Sequence, residues 1–200
     1  LYCLSTIELM DALKVFLPPL SLQKINHWIN ELDVKIKITP PRKTKLGDFR
    51  GIKDSLYISI NNDLNPYSFL ITLTHELAHA FVYIKHKRGI APHGSQWKET
   101  FQSMMLNFLN PTIFPDDVLK ALSTHLKHPK ASTLTDINLA AVLKKYDCVK
   151  VLTISDIDAE SIFSISNGKI FKKGKQLRKR YRCIECTTNK IYLFHPFAEV

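Results

Sequence analysis

The sequence lacks any run of about 18 consecutive apolar residues, the length that a membrane-spanning helix needs. Its first twenty residues are rather apolar, but Glu8 and Asp11 interrupt them and no basic segment precedes them, which argues against a signal peptide. Cysteine is scarce, since four residues in a chain of 200 are too few and too scattered for a disulfide scaffold. We therefore expect a protein of the reducing cytoplasm with no membrane partner.

Acidic residues are also few relative to basic ones. The chain carries 18 Asp and Glu against 28 Lys and Arg, which gives a formal net charge of +10. This balance favours an anionic partner such as DNA, although solvated lysines also serve solubility. With 45% apolar and 23% charged residues, the composition otherwise suits one globular domain, or a core domain with a small appendage.

The most informative segment reads His75-Glu76-Leu77-Ala78-His79. Two histidines four residues apart project from the same face of a helix, which suits two nitrogen ligands on one Zn²⁺. Glu76 is the candidate catalytic base, because it can take a proton from a water on the metal without filling a coordination position. The alternative is a buried helix whose histidines only form hydrogen bonds within the core.

The surrounding sequence favours a central helix for this motif. Asn65 is a good N-cap, and Pro66 suits the first helical position, where its missing N–H costs nothing. From Tyr67 to Ile84 the sequence is apolar on nearly every side, so the helix is expected to be buried. Polar side chains in the middle of such a helix need a partner, and a metal ion provides one.

A zinc ion at this motif needs a third protein ligand, for which His93 is our candidate. His86 would lie about 10 and 16 Å along the helix axis from the two motif histidines, which is too far for a shared ion. Glu99 is the alternative, as in the His-His-Glu ligand set of many zinc peptidases. The apolar stripe of its own helix, which includes Trp97, places Glu99 on the solvent side. Trp97 is expected to be a packing anchor behind the ligands.

Three segments form a recognisable set: residues 75–79, Pro92-His93-Gly94-Ser95-Gln96-Trp97-Lys98, and Thr44-Lys45-Leu46-Gly47-Asp48-Phe49-Arg50. Over about residues 30–108 this set resembles the SprT-like family of zinc metallopeptidases, to which Spartan-type DNA–protein crosslink proteases belong. The resemblance implies a zincin-like fold, one zinc per chain held by His75, His79 and His93, and Glu76 as catalytic base. It also implies an association with DNA.

Residues 1–112 are predicted to form the peptidase core. Helices over residues 5–16 and 21–32 precede three strands over 34–39, 44–50 and 55–60, which alternating apolar residues indicate. The motif helix and a helix over Ser95–Leu109 follow. This order predicts an α+β fold, in which a small antiparallel sheet packs on helices. In zinc peptidases of this architecture the strand before the motif helix can offer a free edge to substrate, and we expect Leu56–Ile60 to be that edge.

Residues 113–147 are predicted to form a helical connector. Its start is marked by the dipeptides Asn110-Pro111 and Phe114-Pro115. Helices are expected over Asp116–Leu126 and from the N-cap Asp136 to about Tyr146. His125 and His128 lie around the end of the first of these helices. We expect both to be surface residues, because three better-spaced metal ligands exist elsewhere.

Residues 148–200 are predicted to form a small antiparallel β module. Short β-like runs are separated by turn residues, and Asn167-Gly168 is a strong hairpin signal. The runs cover residues 149–154, 161–165, 169–171, 177–182 and 191–194. The pair Cys183 and Cys186 is the first half of a zinc ribbon, which relatives in the family often complete with a second cysteine pair. Because no second pair occurs here, we expect an eroded, metal-free ribbon; a second metal site completed by His195 or Cys148 is the alternative.

A basic run lies in the same module. Its members are Lys169, Lys172, Lys173, Lys175, Arg178, Lys179, Arg180 and Arg182. Alternation along strands would place about half of them on one face, as a strip that neutralises several phosphates. Phe171 and Tyr181 would add stacking contacts. The alternative is a solvated sheet face whose aromatic residues point into the core.

Together these features predict a zinc metalloendopeptidase whose partners are protein or peptide substrates, including proteins associated with or crosslinked to DNA. Such an enzyme would be cytoplasmic, and nucleoid-associated if it binds DNA. The alternative is a DNA-associated binding protein that has a zinc site but little or no peptidase activity. The sequence assigns no residue to stabilise the oxyanion, and it names neither the physiological substrate nor the oligomeric state.

Overall fold

A computed structural model of the protein describes residues 6–42, 44–53, 55–86, 91–130 and 135–200. The chain divides into two compact units, Leu1–Asp147 and Cys148–Val200, and each has a hydrophobic core of its own. None of the helices in the described ranges is long and apolar enough to cross a membrane.

The first unit has an α+β architecture. Its helices are α1 (Thr6–Phe16), α2 (Leu22–Leu32), α3 (Pro66–His86), α4 (Ser95–Leu106), α5 (Asp116–Lys127) and α6 (Ile137–Lys144). Its strands are β1 (Val34–Thr39), β2 (Gly47–Ile52) and β3 (Ser55–Asn61). The α+β class predicted from the sequence is therefore confirmed, and each element lies within a few residues of its predicted bounds.

The sheet of the first unit differs from the prediction in two ways. Its strand order is β1-β3-β2, and β2 pairs antiparallel with β3, whereas β1 pairs parallel with β3. The predicted antiparallel sheet is therefore wrong for β1, and the sheet is mixed. The prediction that Leu56–Ile60 offers a free edge is also wrong, because β3 is the central strand. The edges of the sheet are β1 and β2.

Helix α3 is enclosed by the apolar face of the sheet and by the other helices. Its N-cap Asn65 accepts a hydrogen bond from the backbone N–H of Ser68 at 3.0 Å. The amide group of Asn65 also donates to the carbonyl of Leu143 at 2.9 Å, which ties the start of α3 to the end of α6. The eleven buried residues of α3 fix its orientation in the core.

The helices α5 and α6 contribute to the same hydrophobic core as α3. Leu122 of α5 is fully buried, and so is Leu139 of α6. A separate connector over residues 113–147 stays a prediction.

His125 of α5 contradicts its predicted place at the surface. Its side chain is buried, with the residue 3% exposed, on the same face of α5 as Leu122. Nδ1 of His125 lies 2.9 Å from Oδ2 of Asp136, and Asp136 also accepts the backbone N–H of Leu139 as N-cap of α6. His128 is exposed, as expected.

The second unit is built on a four-stranded antiparallel sheet in the order β4-β5-β6-β7. Its strands are β4 (Ile162–Ser164), β5 (Ile170–Gln176), β6 (Tyr181–Glu185) and β7 (Ile191–Phe194). The turn between β4 and β5 contains Gly168 at φ +80°, the left-handed conformation that the predicted hairpin requires.

Three predicted strand runs of the second unit are wrong in extent. The run over 169–171 continues to Gln176 as β5. Residues 149–154 form only an isolated bridge, from Thr153 to Glu199. The run over 177–182 begins as a turn, closed by a hydrogen bond from the N–H of Leu177 to the carbonyl of Arg180, and becomes a strand only at Tyr181.

Candidate metal centre

Three histidine side chains converge at one point of the first unit. His75 and His79 lie one turn apart on α3, and His93 lies in the segment that leads into α4. Their Nε2 atoms are 3.2 Å (His75 to His79), 3.2 Å (His75 to His93) and 3.0 Å (His79 to His93) apart. This is the one group of three or more potential ligand residues among the described residues that could hold a metal ion.

These separations fit a common metal ion. Three nitrogen ligands about 2.0–2.1 Å from a tetrahedral ion lie roughly 3.3–3.4 Å from one another. Hydrogen bonds alone do not explain the cluster, since a neutral ring offers its Nε2 either as one donor or as one acceptor. An ion that accepts all three lone pairs would satisfy the three nitrogens together.

The protonation of the histidines also suits metal binding. The pKa of His75 is lowered to about 2, mainly by burial and also by the neighbouring His79 and His93 rings. Burial, with help from His93, lowers the pKa of His79 to about 4, and burial lowers the pKa of His93 as well. Neutral imidazole is the form that binds a metal, so the three rings are in the ligand form at neutral pH.

Glu76 follows His75 on α3, is buried, and faces β2. The residue is 7% exposed, and the backbone N–H of Phe49 donates a hydrogen bond to its carboxyl group. The pKa of Glu76 is raised to about 8, mainly by burial and also by the charge of Asp48. The Phe49 hydrogen bond and the charges of Arg42 and Lys45 oppose this rise. The carboxyl group therefore exchanges its proton near the neutral range, where a general base is most effective.

Trp97, in the first turn of α4, packs against all three histidine rings. Its ring centroid lies 4.5, 5.3 and 4.7 Å from those of His75, His79 and His93. Its indole N–H also donates to the backbone carbonyl of His75 at 3.4 Å. Trp97 is fully buried, so it holds the three rings from behind, in the packing role expected for it.

His86 and Glu99, the two alternative candidates for the third ligand, lie outside the histidine cluster. His86 is exposed at the end of α3, and Glu99 is exposed on α4. Neither belongs to the histidine cluster.

The cysteine pair of the second unit is split between core and surface. Cys183 is fully buried on β6, whereas Cys186 is exposed after the strand ends. Burial raises the pKa of the Cys183 thiol, which favours the protonated form over the thiolate that binds metal. Within the described residues, neither cysteine belongs to a group of three potential ligands.

One member of the basic run of the second unit, Lys173, is buried. Lys173 is 5% exposed, its ammonium donates to the carbonyl of Ile157 at 2.6 Å, and it lies 4.3 Å from the ring centroid of Tyr181. Lys169 pairs with Glu185 at 2.8 Å, and Lys172 pairs with Glu160 at 2.6 Å. The ammonium of Lys173 is thus used inside the unit.

The remaining members of the run lie near the connection between β5 and β6. Lys175, Arg178, Lys179 and Arg180 are exposed, and Arg182 is half-buried. Phe171, by contrast, is 1% exposed in the core of the unit. The predicted stacking contact of Phe171 is therefore wrong, because strand alternation turns this ring inward.

The roles of two residues near Glu76, Gly47 and Phe49, are not predicted from the sequence. Gly47 approaches the Glu76 carboxyl so closely that a Cβ atom on Gly47 would fall 2.7 Å from its Oε1. Phe49 orients the same carboxyl through its backbone N–H. A glycine inside a strand pattern often marks such an approach of the backbone to another group, and Gly47 gave that signal.

The first unit thus has an α+β fold with a candidate three-histidine metal site, formed by its central helix and the segment that leads into α4. Residues 22–117 match the model of the SprT-like family. This match confirms, for residues 22–117, the resemblance to the SprT-like family. The matched segment contains the three histidines, Glu76 and β2. No curated protein and no solved structure matches the chain.

Proposed function

We propose that the first unit is a zinc-dependent endopeptidase. The observation that carries the proposal is the convergence of the three Nε2 atoms, two of them from α3, the helix that also bears the buried carboxyl group of Glu76. The match to the SprT-like family supports it, because its members are generally proposed to be metallopeptidases. His75, His79 and His93 would hold the zinc, which supplies Lewis acidity toward water and the peptide carbonyl when bound.

The chain's own residues have separate tasks in this reaction. Glu76 accepts the proton of the attacking water and later delivers it to the leaving amine. The N–H of Phe49 fixes the direction of the carboxyl group. The Trp97 ring and its hydrogen bond to the His75 carbonyl hold the ligand rings in place.

We propose proteins bound or crosslinked to DNA as the substrates. The net charge of +10 supports this choice, because a strongly basic chain accumulates along nucleic acid. The resemblance to the SprT-like family also supports this choice of substrate, because that family includes the Spartan-type DNA–protein crosslink proteases. The cysteine pair is proposed to hold no metal, so that the histidine cluster holds the only zinc.

Metal analysis and a cleavage assay on the purified full chain test the proposal. We expect about one zinc per chain, as one three-histidine site implies, and loss of both zinc and cleavage in His93→Ala. The matched control is His86→Ala, which should retain both. A chain that holds zinc without cleaving any protein substrate, with or without DNA, contradicts the endopeptidase.

A DNA-associated binding protein with a structural zinc and little peptidase activity is the second candidate. The exposed cations Lys175, Arg178, Lys179 and Arg180 favour it. The same assay separates the two candidates, since the second predicts DNA binding and bound zinc with no cleavage. Measuring DNA affinity against salt tests the shared part, because phosphate contacts give a steep negative slope.

A further inference from the structure

The outer face of the first unit's sheet, opposite its core-packed face, carries a regular array of polar side chains. We define the outer sheet face by Lys35 and Lys37 of β1, Tyr57 and Ser59 of β3, and Asp48 and Arg50 of β2. Cross-strand pairing arranges them in two rows, Lys35-Tyr57-Arg50 and Lys37-Ser59-Asp48. Each row spans roughly 10 Å, the width of two strand spacings.

This face is strongly positive. The ammonium of Lys45 and the guanidinium of Arg50 both pair with Asp48, at 2.8 and 2.7 Å. Asp48 is the only acidic residue in the two rows, so Lys35 and Lys37 add charge that no carboxylate in the rows offsets.

Arg42 extends the positive face at one end. Its guanidinium donates to the Ser59 hydroxyl at 2.9 Å and to the Ser59 carbonyl at 3.2 Å. It also donates to the side-chain oxygen of Asn61 at 2.7 Å, which fixes its position against β3. The guanidinium is thus held at the sheet rather than free in solvent, as a pre-ordered cation should be.

The aromatic ring of Tyr57 lies between cationic residues on the outer sheet face. Tyr57 is on the central strand, 39% exposed, and flanked by a lysine on one side and an arginine on the other. The ammonium of Lys35 lies 5.5 Å from its ring centroid. An exposed aromatic ring among cations on a sheet is an arrangement on which single-stranded nucleic acids stack their bases. An acidic peptide could pair with the lysine and arginine side chains, but it carries no base to stack on the Tyr57 ring.

We propose that the outer sheet face binds single-stranded nucleic acid, with phosphates on Lys35, Lys37 and Arg50 and one base stacked on Tyr57. This surface belongs to the first unit, whereas the basic run belongs to the second. It needs no metal. It lies within electrostatic reach of the candidate metal centre, because Arg42, Lys45 and Asp48 all act on the Glu76 carboxyl.

Binding of a fluorescent oligothymidylate to the full chain, measured against salt, tests the proposal. Single strands lose affinity with a slope of about 0.7 per phosphate contact, so the triple variant Lys35→Gln, Lys37→Gln, Arg50→Gln should lower the slope by about 2. Tyr57→Leu should weaken binding on the order of tenfold, while Tyr57→Phe, which keeps the ring, should retain the affinity.

The matched control removes three charges from the second unit, as Arg178→Gln, Lys179→Gln, Arg180→Gln. The proposal requires that this control leave the effect of Tyr57→Leu in place. Equal binding by Tyr57→Leu and the unmodified chain overturns the proposal. So does tighter binding of duplex DNA than of the single strand, or binding of polyglutamate in place of oligothymidylate, which would identify an acidic-peptide surface. These readouts do not depend on peptidase activity, so the endopeptidase proposal can fail without affecting them.

Discussion

Gly47 and Glu76 are in contact across the interface between β2 and α3. A Cβ atom on Gly47 would fall 2.7 Å from Oε1 of Glu76 and 2.9 Å from Cγ2 of Thr72. Two residues further along β2, the N–H of Phe49 donates to the same carboxyl group. The missing side chain of Gly47 therefore allows the strand backbone to approach and orient the candidate catalytic base.

Gly47→Ala should move the Glu76 carboxyl out of this position. The added methyl group meets both Glu76 and Thr72, so we expect a loss of about 1–3 kcal/mol in the free energy of unfolding. Cleavage should fall at least about tenfold, since small displacements of a catalytic group are costly. Metal content should not change, because the atoms nearest to the added methyl group belong to Glu76 and Thr72 rather than to a histidine. Cleavage rates and zinc content of the purified variant check this.

The matched control is Gly51→Ala on the same strand. A Cβ atom on Gly51 meets the ring of Tyr83 rather than Glu76. Tyr83 is partly exposed, so its ring can swing toward solvent. Cleavage by Gly51→Ala should stay within a few-fold of the unmodified chain, and an equal loss in both variants would contradict the specific contact with Glu76.

Trp97→Leu should weaken metal binding. The indole packs on all three histidine rings and donates to the carbonyl of His75, so its loss frees the rings to leave the ligand geometry. Loss of a group that orients metal ligands typically lowers metal affinity 10–100-fold, and we expect about tenfold here. Competition with a chelator of known zinc affinity measures it.

Trp28→Leu is the control for Trp97→Leu. Trp28 is also buried, but it packs edge-on against Phe108 rather than against the histidines. Both variants should lower the free energy of unfolding, by about 2–3 kcal/mol for such a loss of volume. Only Trp97→Leu should change the zinc affinity; an equal change in both would show that general loss of packing is the cause.

Asp136→Asn should reduce the stability of the first unit in a pH-dependent way. Burial raises the pKa of Asp136, but the hydrogen bonds from His125 and from the N–H of Leu139, with the charge of Lys130, hold that pKa below its usual value of 3.8. A lowered folded-state pKa stabilises the protein above the unfolded-state pKa, and this stabilisation is lost as the pH falls. The variant should therefore be less stable by about 1–2 kcal/mol at neutral pH. Denaturant unfolding of both proteins from pH 7 down to below 3.8 should show the difference shrinking.

The control for this pair is Asp11→Asn. Asp11 pairs with Lys14 at 2.7 Å, but both side chains are largely exposed. An exposed ion pair contributes little, so stability should change by less than about 0.5 kcal/mol at any of these pH values. If the pH dependence of Asp136→Asn is no larger than that of Asp11→Asn, the buried His125–Asp136 interaction does not stabilise the unit.

Alternation of apolar residues was enough to predict the strands of the first unit, but not their pairing. In β1, Val34 and Ile36 face the core while Lys35 does not, which gives the strand and its faces. The same pattern is compatible with either neighbour and either direction. Only the short connection between β2 and β3 indicates from the sequence that these two strands pair antiparallel. The parallel pairing of β3 with β1 depends on tertiary packing, which the sequence pattern does not reveal.

Two errors at individual residues have different causes. The better ligand spacing of other histidines predicts a surface position for His125, although its spacing from Leu122 places it on the buried stripe of α5. Charge alone predicts that Lys173 belongs to a basic strip, but the residue shares the inner face of β5 with Phe171, and its ammonium reaches the carbonyl of Ile157. A buried lysine with such a partner cannot be read from charge alone.

The motif made His75, Glu76 and His79 predictable, because their roles follow from helical spacing. His93 followed from the requirement for a third ligand, and the structure brings its ring to the other two. The way in which β2 positions the Glu76 carboxyl is less predictable from the sequence. It depends on a contact between elements some thirty residues apart, for which Gly47 was the single local sign.

The most direct test of the account compares Glu76→Gln with Glu99→Gln in zinc content and cleavage rate. Glutamine is nearly the same size as glutamate but cannot accept and return the proton. Glu76→Gln should therefore keep zinc and lose about 10²–10⁴-fold in cleavage rate. Glu99 is exposed on α4, so Glu99→Gln should keep both zinc and activity. Full cleavage by Glu76→Gln with zinc bound would contradict the assignment of Glu76 as catalytic base.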